Sequence, residues 1–143
     1  MIKLRHSGIV VEDADRSVVF YRDHLGLEVI DDRQEGGEYL ETLLGLPGVC
    51  ARTVKLRGEG AGIIELLEFQ GVKPDNRARP VGLLGFGPTH IALTVDDLDT
   101  LYFRLLKHGI HFVSPPTISP DGKVKLLFCR DPDGAYLELV QEM

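Results

Sequence analysis

The chain has 143 residues, of which 43% are hydrophobic and 27% are charged, and this length and composition fit one globular domain with a sizeable core. The net charge of −6 and the scattered basic residues argue against a nucleic-acid partner, because phosphate binding needs clustered lysine and arginine. The apolar runs are too short to cross a bilayer and the first residues lack the apolar segment of a signal peptide, so we expect a cytoplasmic protein with no membrane partner.

The first half of the chain, about residues 1–70, predicts a βαβββ unit. A strand over residues 2–11 leads to Asp13, a plausible N-cap for a helix that ends at Gly26. The predicted helix face is Val18, Val19, Phe20 and Leu25. Strands are predicted over residues 27–32, 49–56 and 62–69. Residues 36–48 form an extra loop or short helix, a candidate lid over a site.

The second half, about residues 89–143, predicts the same order of elements after a Gly- and Pro-rich linker over residues 71–88. A strand over residues 89–95 precedes the N-cap Asp97 and a helix ending at Gly109. The predicted helix face is Leu98, Leu101 and Leu105. Strands follow over residues 112–114, 124–130 and 135–141, and the turn "DPDG" at 131–134 joins the last two as a hairpin.

The two halves also match residue by residue. His6 aligns with His90 and Asp13 with Asp97 at a constant offset of 84, whereas "GIIELLEF" aligns with "AYLELVQE" so that Glu65 meets Glu138. The fold class is therefore α+β with two βαβββ modules. Glu68 shows no repeat partner and is set aside as a ligand.

Two cysteines, Cys50 and Cys129, make neither a disulfide framework nor a zinc-binding spacing. Both lie in patterns typical of strand interiors. We interpret them as buried small apolar residues in a reducing compartment.

The aligned histidines and glutamates stand out from their apolar surroundings. Alternation along a strand places each of them on the face opposite the apolar residues that pack beneath the helix. A lone strand histidine is more often a half-buried hydrogen-bonding residue, and a lone strand glutamate usually faces solvent. Because all four recur at matching places, they predict a mixed nitrogen and oxygen site for one divalent ion, Zn, Ni, Co, Mn or Fe. The ion would also supply the charge that a half-buried carboxylate requires.

The paired units, the His, Glu, His, Glu order and the ending "DPDGAYLELVQ" resemble the vicinal oxygen chelate superfamily. This superfamily includes glyoxalase I, methylmalonyl-CoA epimerase, extradiol dioxygenases and the fosfomycin and bleomycin resistance proteins. The resemblance implies a half-open eight-stranded β cup with flanking helices around one metal ion, commonly completed by a homodimer. The ligands it implies are His6, Glu65, His90 and Glu138.

The resemblance also implies a reaction on a small-molecule substrate. A four-ligand set is typical of glyoxalase I and the epimerase, which move a proton next to a carbonyl. We therefore expect a metal-dependent lyase or isomerase, with Glu138 as the first candidate base and Glu65 as the second. An extradiol-type dioxygenase and a non-catalytic resistance-type binding protein are the alternatives.

Glutathione is not the substrate that we expect. Glyoxalase I enzymes commonly hold glutathione through polar residues at positions that Val10, Phe69 and Phe86 occupy in this chain. Apolar side chains cannot replace the salt bridges and hydrogen bonds that a charged tripeptide needs. We expect Phe69 and Phe86 to line a pocket for a more apolar substrate.

Overall fold

Two four-stranded β-sheets, one in each half of the chain, organise the computed structural model, which describes residues 1–60, 62–72 and 82–143. The chain divides into two units, Met1–Asn76 and Arg77–Met143. Residues 73–81 of the predicted linker lie outside the described part of the chain. The α+β class with two βαβββ modules is confirmed, and both sheets are open. One domain spanning the whole chain stays a prediction.

The first unit follows the predicted order with one added helix. Its elements are β1 (Ser7–Val10), α1 (Ala14–Val18) continued by a π-helical segment (Val19–His24), β2 (Glu28–Glu35), α2 (Gly37–Leu44), β3 (Cys50–Arg57) and β4 (Ile63–Gln70). The strands lie in the order β1-β4-β3-β2. β1 runs parallel to β4, and the other neighbours are antiparallel.

The second unit repeats this topology without the added helix. Its elements are β5 (His90–Thr94), α3 (Leu98–Lys107), β6 (Thr117–Ile118), β7 (Val124–Arg130) and β8 (Tyr136–Glu142). The strands lie in the order β5-β8-β7-β6, with β5 parallel to β8. Among the described residues, no helix is long and apolar enough to span a membrane.

Both predicted N-caps are confirmed. The Asp13 carboxylate accepts a hydrogen bond of 3.0 Å from the Arg16 amide, and the Asp97 carboxylate accepts one of 3.0 Å from the Thr100 amide. Each cap satisfies an amide that the first turn of its helix leaves unpaired. The two helices therefore start at equivalent points after β1 and β5.

The helix faces that pack on the sheets are mostly those predicted. Leu98, Leu101 and Leu105 of α3 are buried, as are Val18 and Phe20 in the first unit. Val19 is 43% exposed, so its assignment to the core was wrong. The reason is helical spacing, because Ala14, Ser17, Val18 and Tyr21 are buried at intervals of three and four residues and Val19 lies off that face.

Three further expectations are corrected. β1 begins at Ser7, not at residue 2, so His6 lies just before the strand. Residues 112–114 form one isolated bridge at Phe112, and the edge strand is β6 instead, beyond two prolines that cannot donate to a sheet ladder. Cys50 is exposed at the start of β3, whereas Cys129 is buried as expected.

The extra segment of the first unit forms the helix α2, which is anchored by its buried residue Leu40. Leu40 packs in a small cluster with Val49 and Ala51 at the start of β3, and Phe69 and Val72 pack against that cluster. The helix ends at Gly45, whose φ of 66° lies in the left-handed region that favours glycine. Its role as a lid stays a prediction.

Candidate metal centre

The first histidine and glutamate pair forms where β1 lies beside β4. Gly8 stands opposite Glu65 in the parallel register, and His6 precedes Gly8 by two residues, so it shares the same face. The His6 Nε2 atom lies 3.1 Å from Glu65 Oε2. Ile64 and Leu66 are buried on the opposite face, beneath the helix. The alternation in "IIELL" thus presents the glutamate away from the core.

The second pair has the same construction. Ala92 of β5 stands opposite Glu138 of β8, and His90 precedes Ala92 by two residues. The His90 Nε2 atom lies 3.2 Å from Glu138 Oε2. Leu137 and Leu139 are fully buried on the other face. The two His and Glu pairs that match in the sequence therefore also have the same geometry in the structure.

In each pair, the distance between the histidine nitrogen and the glutamate oxygen matches the distance between two neighbouring ligand atoms of one metal ion. Two ligand atoms that each lie about 2.1 Å from one ion, at angles between octahedral and tetrahedral, are separated by about 3.0–3.4 Å. The observed separations of 3.1 and 3.2 Å fall in this range. The side chains of Glu65 and Glu138 are 14% and 22% exposed, so each carboxylate is partly desolvated yet reachable from solvent.

The structure groups the four predicted ligands as two pairs. His6 and Glu65 belong to the first unit, and His90 and Glu138 belong to the second. Within residues 1–60, 62–72 and 82–143, no three or more His, Cys, Asp or Glu side chains form a group that could hold a metal ion. A centre with all four ligands therefore stays a prediction.

The surroundings of the two glutamates differ. In the first unit Lys55 of β3 lies opposite Glu65 in the sheet register, and its Nζ atom is 3.4 Å from Glu65 Oε1. In the second unit Phe128 of β7 lies opposite Glu138, and its ring packs edge-to-face against the His90 ring at 5.1 Å between centroids. Sequence reasoning missed Lys55, although counting outward along the hairpin from its glycine turn would have paired it with Glu65.

The three apolar positions that argued against glutathione have different environments. Val10 is 48% exposed on the face of β1 that also carries Gly8. Phe69 packs against the cluster around Leu40. Phe86 is fully exposed and lies before β5, outside the sheet. That Phe69 and Phe86 line one substrate pocket stays a prediction.

A surface depression of about 360 Å³ lies on α2. It is lined by Glu38, Tyr39, Thr42 and Leu43. None of the four predicted ligands contributes to it. It therefore gives no support to a substrate site at the His and Glu pairs.

Residues 3–139 match the family model described as the Glyoxalase/Bleomycin resistance protein/Dioxygenase superfamily. The chain belongs to this superfamily. The resemblance inferred from the sequence is thereby confirmed, and the matched residues include all four predicted ligands.

Relatives and solved structures agree with this membership. The chain is 32% identical to the lactoylglutathione lyase of Schizosaccharomyces pombe over 98% of its own length, but it spans only 47% of that protein. It is 30% identical to the uncharacterized protein YwkD of Bacillus subtilis, covering 97% of this chain and 96% of that protein. A glyoxalase family protein from Bacillus cereus shares the fold with a TM-score of 0.91 at 24% identity, covering 100% and 95% of the two chains.

Proposed function

We propose that this superfamily member is a divalent-metal-dependent lyase or isomerase, glyoxalase-like or epimerase-like, that transfers a proton next to the carbonyl of a small organic substrate. The observation that carries the proposal is the repeated His and Glu pair, with nitrogen to oxygen separations of 3.1 and 3.2 Å. The names of the relatives support the lyase class. A cytoplasmic location and a homodimer stay predictions.

His6, Glu65, His90 and Glu138 would hold the ion, since neutral imidazoles and carboxylates together suit a divalent first-row metal or zinc. When bound, the ion supplies Lewis acidity that polarises a carbonyl group and makes the neighbouring C–H more acidic. Glu138 would accept that proton and return it. The apolar environment that Phe128 gives Glu138 and His90 limits competing hydrogen bonds to the carboxylate.

The proposed substrate is smaller or more apolar than glutathione conjugates. The lactoylglutathione lyases among the relatives are 27–32% identical to this chain, a level at which substrate contacts can change. At the positions expected to hold glutathione, Val10 is apolar and exposed, and Phe69 packs in the α2 cluster. Neither side chain offers a charge to a tripeptide carboxylate.

Solvent deuterium incorporation tests the reaction class. Metal-loaded protein in deuterated water is incubated with a panel of 2-oxo compounds and acyl thioesters, and NMR follows exchange at the carbon next to the carbonyl. We expect exchange with at least one compound, at a rate that Glu138→Gln lowers by at least about a hundredfold, the scale of a general base. Glu142→Gln, an exposed glutamate on the same strand, serves as the matched control and keeps the wild-type rate.

The alternatives predict different outcomes when aromatic diols and other organic compounds are added to the panel. Consumption of O₂ with an aromatic diol, without deuterium exchange, would replace the proposal by a dioxygenase reaction. Saturable binding of an organic compound without either reaction would replace it by a resistance-type binding protein.

A further inference from the structure

Lys55 distinguishes the first half of the predicted metal centre from the second. Within the repeat, the residue opposite each glutamate is Lys55 in one unit and Phe128 in the other. Lys55 contacts a carboxylate that is 14% exposed, and the lysine side chain itself is only 26% exposed. A partly desolvated ion pair of this kind acts more strongly on its surroundings than a surface pair.

The repeat keeps the ion pair that joins each sheet to its helix, which makes this difference informative. Arg52 of β3 binds Asp15 of α1 at 2.8 Å, and at the equivalent place Lys125 of β7 binds Asp99 of α3 at 2.6 Å. These pairs join a sheet to its own helix in both units. The ion pair between sheet and helix is thus preserved, whereas the position opposite the glutamate changes from cationic to aromatic.

The two carboxylate oxygens of Glu65 have different neighbours because of Lys55. Oε1 faces the ammonium group at 3.4 Å, and Oε2 faces His6 at 3.1 Å. Partners of this kind orient carboxylate ligands and fix which oxygen is presented to an ion. Glu138 has the His90 Nε2 atom at 3.2 Å from its Oε2 atom and the aromatic Phe128 opposite it in the sheet. Glu65 therefore has a polar side chain beside each of its oxygens, whereas Glu138 has Phe128 in place of the ammonium group.

The formal charges of the proposed metal centre show what Lys55 would add to it. Two carboxylates and two neutral imidazoles cancel the charge of a divalent ion, and the Lys55 ammonium then leaves a net charge of +1. We propose that Lys55 is a positioning residue that orients Glu65 through its Oε1 atom, and that its charge opposes metal binding but gives the loaded centre a net positive charge, which selects substrates that present an anionic oxygen. This inference rests on the proposed metal site and adds the substrate class to it.

The test measures the affinities for a cation and for an anion, because the charge of Lys55 should weaken the first and strengthen the second. Zn²⁺ affinity of the metal-free protein is measured by competition with a chromogenic chelator, and oxalate affinity of the Zn²⁺-loaded protein by calorimetry. For Lys55→Gln, which keeps a hydrogen-bond donor without the charge, we expect Zn²⁺ to bind about tenfold more tightly and oxalate about tenfold more weakly. Lys55→Arg should keep both affinities within about threefold of the wild type.

The converse experiment adds a lysine at Phe128, the position in the second unit that corresponds to Lys55. Phe128→Lys adds a charge beside Glu138 and should weaken Zn²⁺ binding by about tenfold relative to Phe128→Met, which changes size without charge. Circular dichroism of each variant confirms that it is folded.

Three outcomes would count against the inference. Parallel changes of both affinities in Lys55→Gln would indicate a purely structural role and overturn it. Unchanged affinities in Lys55→Gln would overturn it as well, while leaving the metal site intact. A wild-type protein that binds no Zn²⁺ would instead overturn the proposed function, and the inference with it.

Discussion

Replacing Thr53 with valine should stabilise the protein. Thr53 lies in β3, two residues before Lys55, and is only 3% exposed. Its Oγ1 atom is buried and has no hydrogen-bond partner among the described residues. A buried hydroxyl without a partner costs about 1–3 kcal/mol, and valine has the same shape without the polar atom. We therefore expect Thr53→Val to raise the free energy of unfolding by about 1–2 kcal/mol.

Urea unfolding measures this effect. A gain of this size raises the denaturation midpoint while the slope of the transition stays constant. Thr53→Ser is the matched control, because it keeps the hydroxyl and removes the methyl group, and it should lower stability by about 1 kcal/mol. A Thr53→Val protein that is less stable than the wild type would refute the reasoning, since it would mean that the hydroxyl makes a favourable hydrogen bond in solution.

Three further predictions concern packing, thiol reactivity and pH. Leu40→Ala should lower the free energy of unfolding by about 2–3 kcal/mol in the same urea assay, because it empties the cluster that anchors α2. In the native protein a thiol reagent should modify the exposed Cys50 quickly and Cys129 only after unfolding, since burial raises the pKa of Cys129 to about 12; Cys50→Ser should therefore remove the fast phase. The hydrogen bonds from Arg52 hold the pKa of Asp32 below its ordinary value, so the unfolded state binds more protons below about pH 5 and acid lowers stability. Asp32→Asn should lose less stability than the wild type between pH 5 and pH 3.

Much of the fold follows from local signals in the sequence. Asp13 and Asp97 mark helix starts, because a carboxylate before an apolar periodic run satisfies the free amides of a first turn. Alternation in "IIELL" and "YLELV" places Glu65 and Glu138 opposite buried neighbours, and the structure confirms this. These features depend on a few consecutive residues, which is why the sequence is sufficient for them.

Features that depend on pairing between distant segments were harder to predict. Glu68, set aside for lack of a repeat partner, accepts a hydrogen bond from the Ala14 amide at the start of α1, and Gln141 does the same for Leu98 of α3. The correspondence between Glu68 and Gln141 was missed because one side chain is charged and the other is neutral, although each has a side-chain oxygen that accepts the same kind of hydrogen bond. Lys55 is closer in sequence, and it was missed because the register of the predicted hairpin was not counted outward from its glycine turn.

Metal analysis of the protein, purified without a polyhistidine tag, tests the central claim most directly. Our account predicts about one tightly bound divalent ion per chain in the wild type, because four ligands suit a single ion. His90→Ala should lose that ion, whereas His111→Ala, which changes an exposed histidine of the same unit, should keep it. A wild-type stoichiometry near zero after incubation with Zn²⁺, Ni²⁺, Co²⁺, Mn²⁺ and Fe²⁺ in turn would contradict the account.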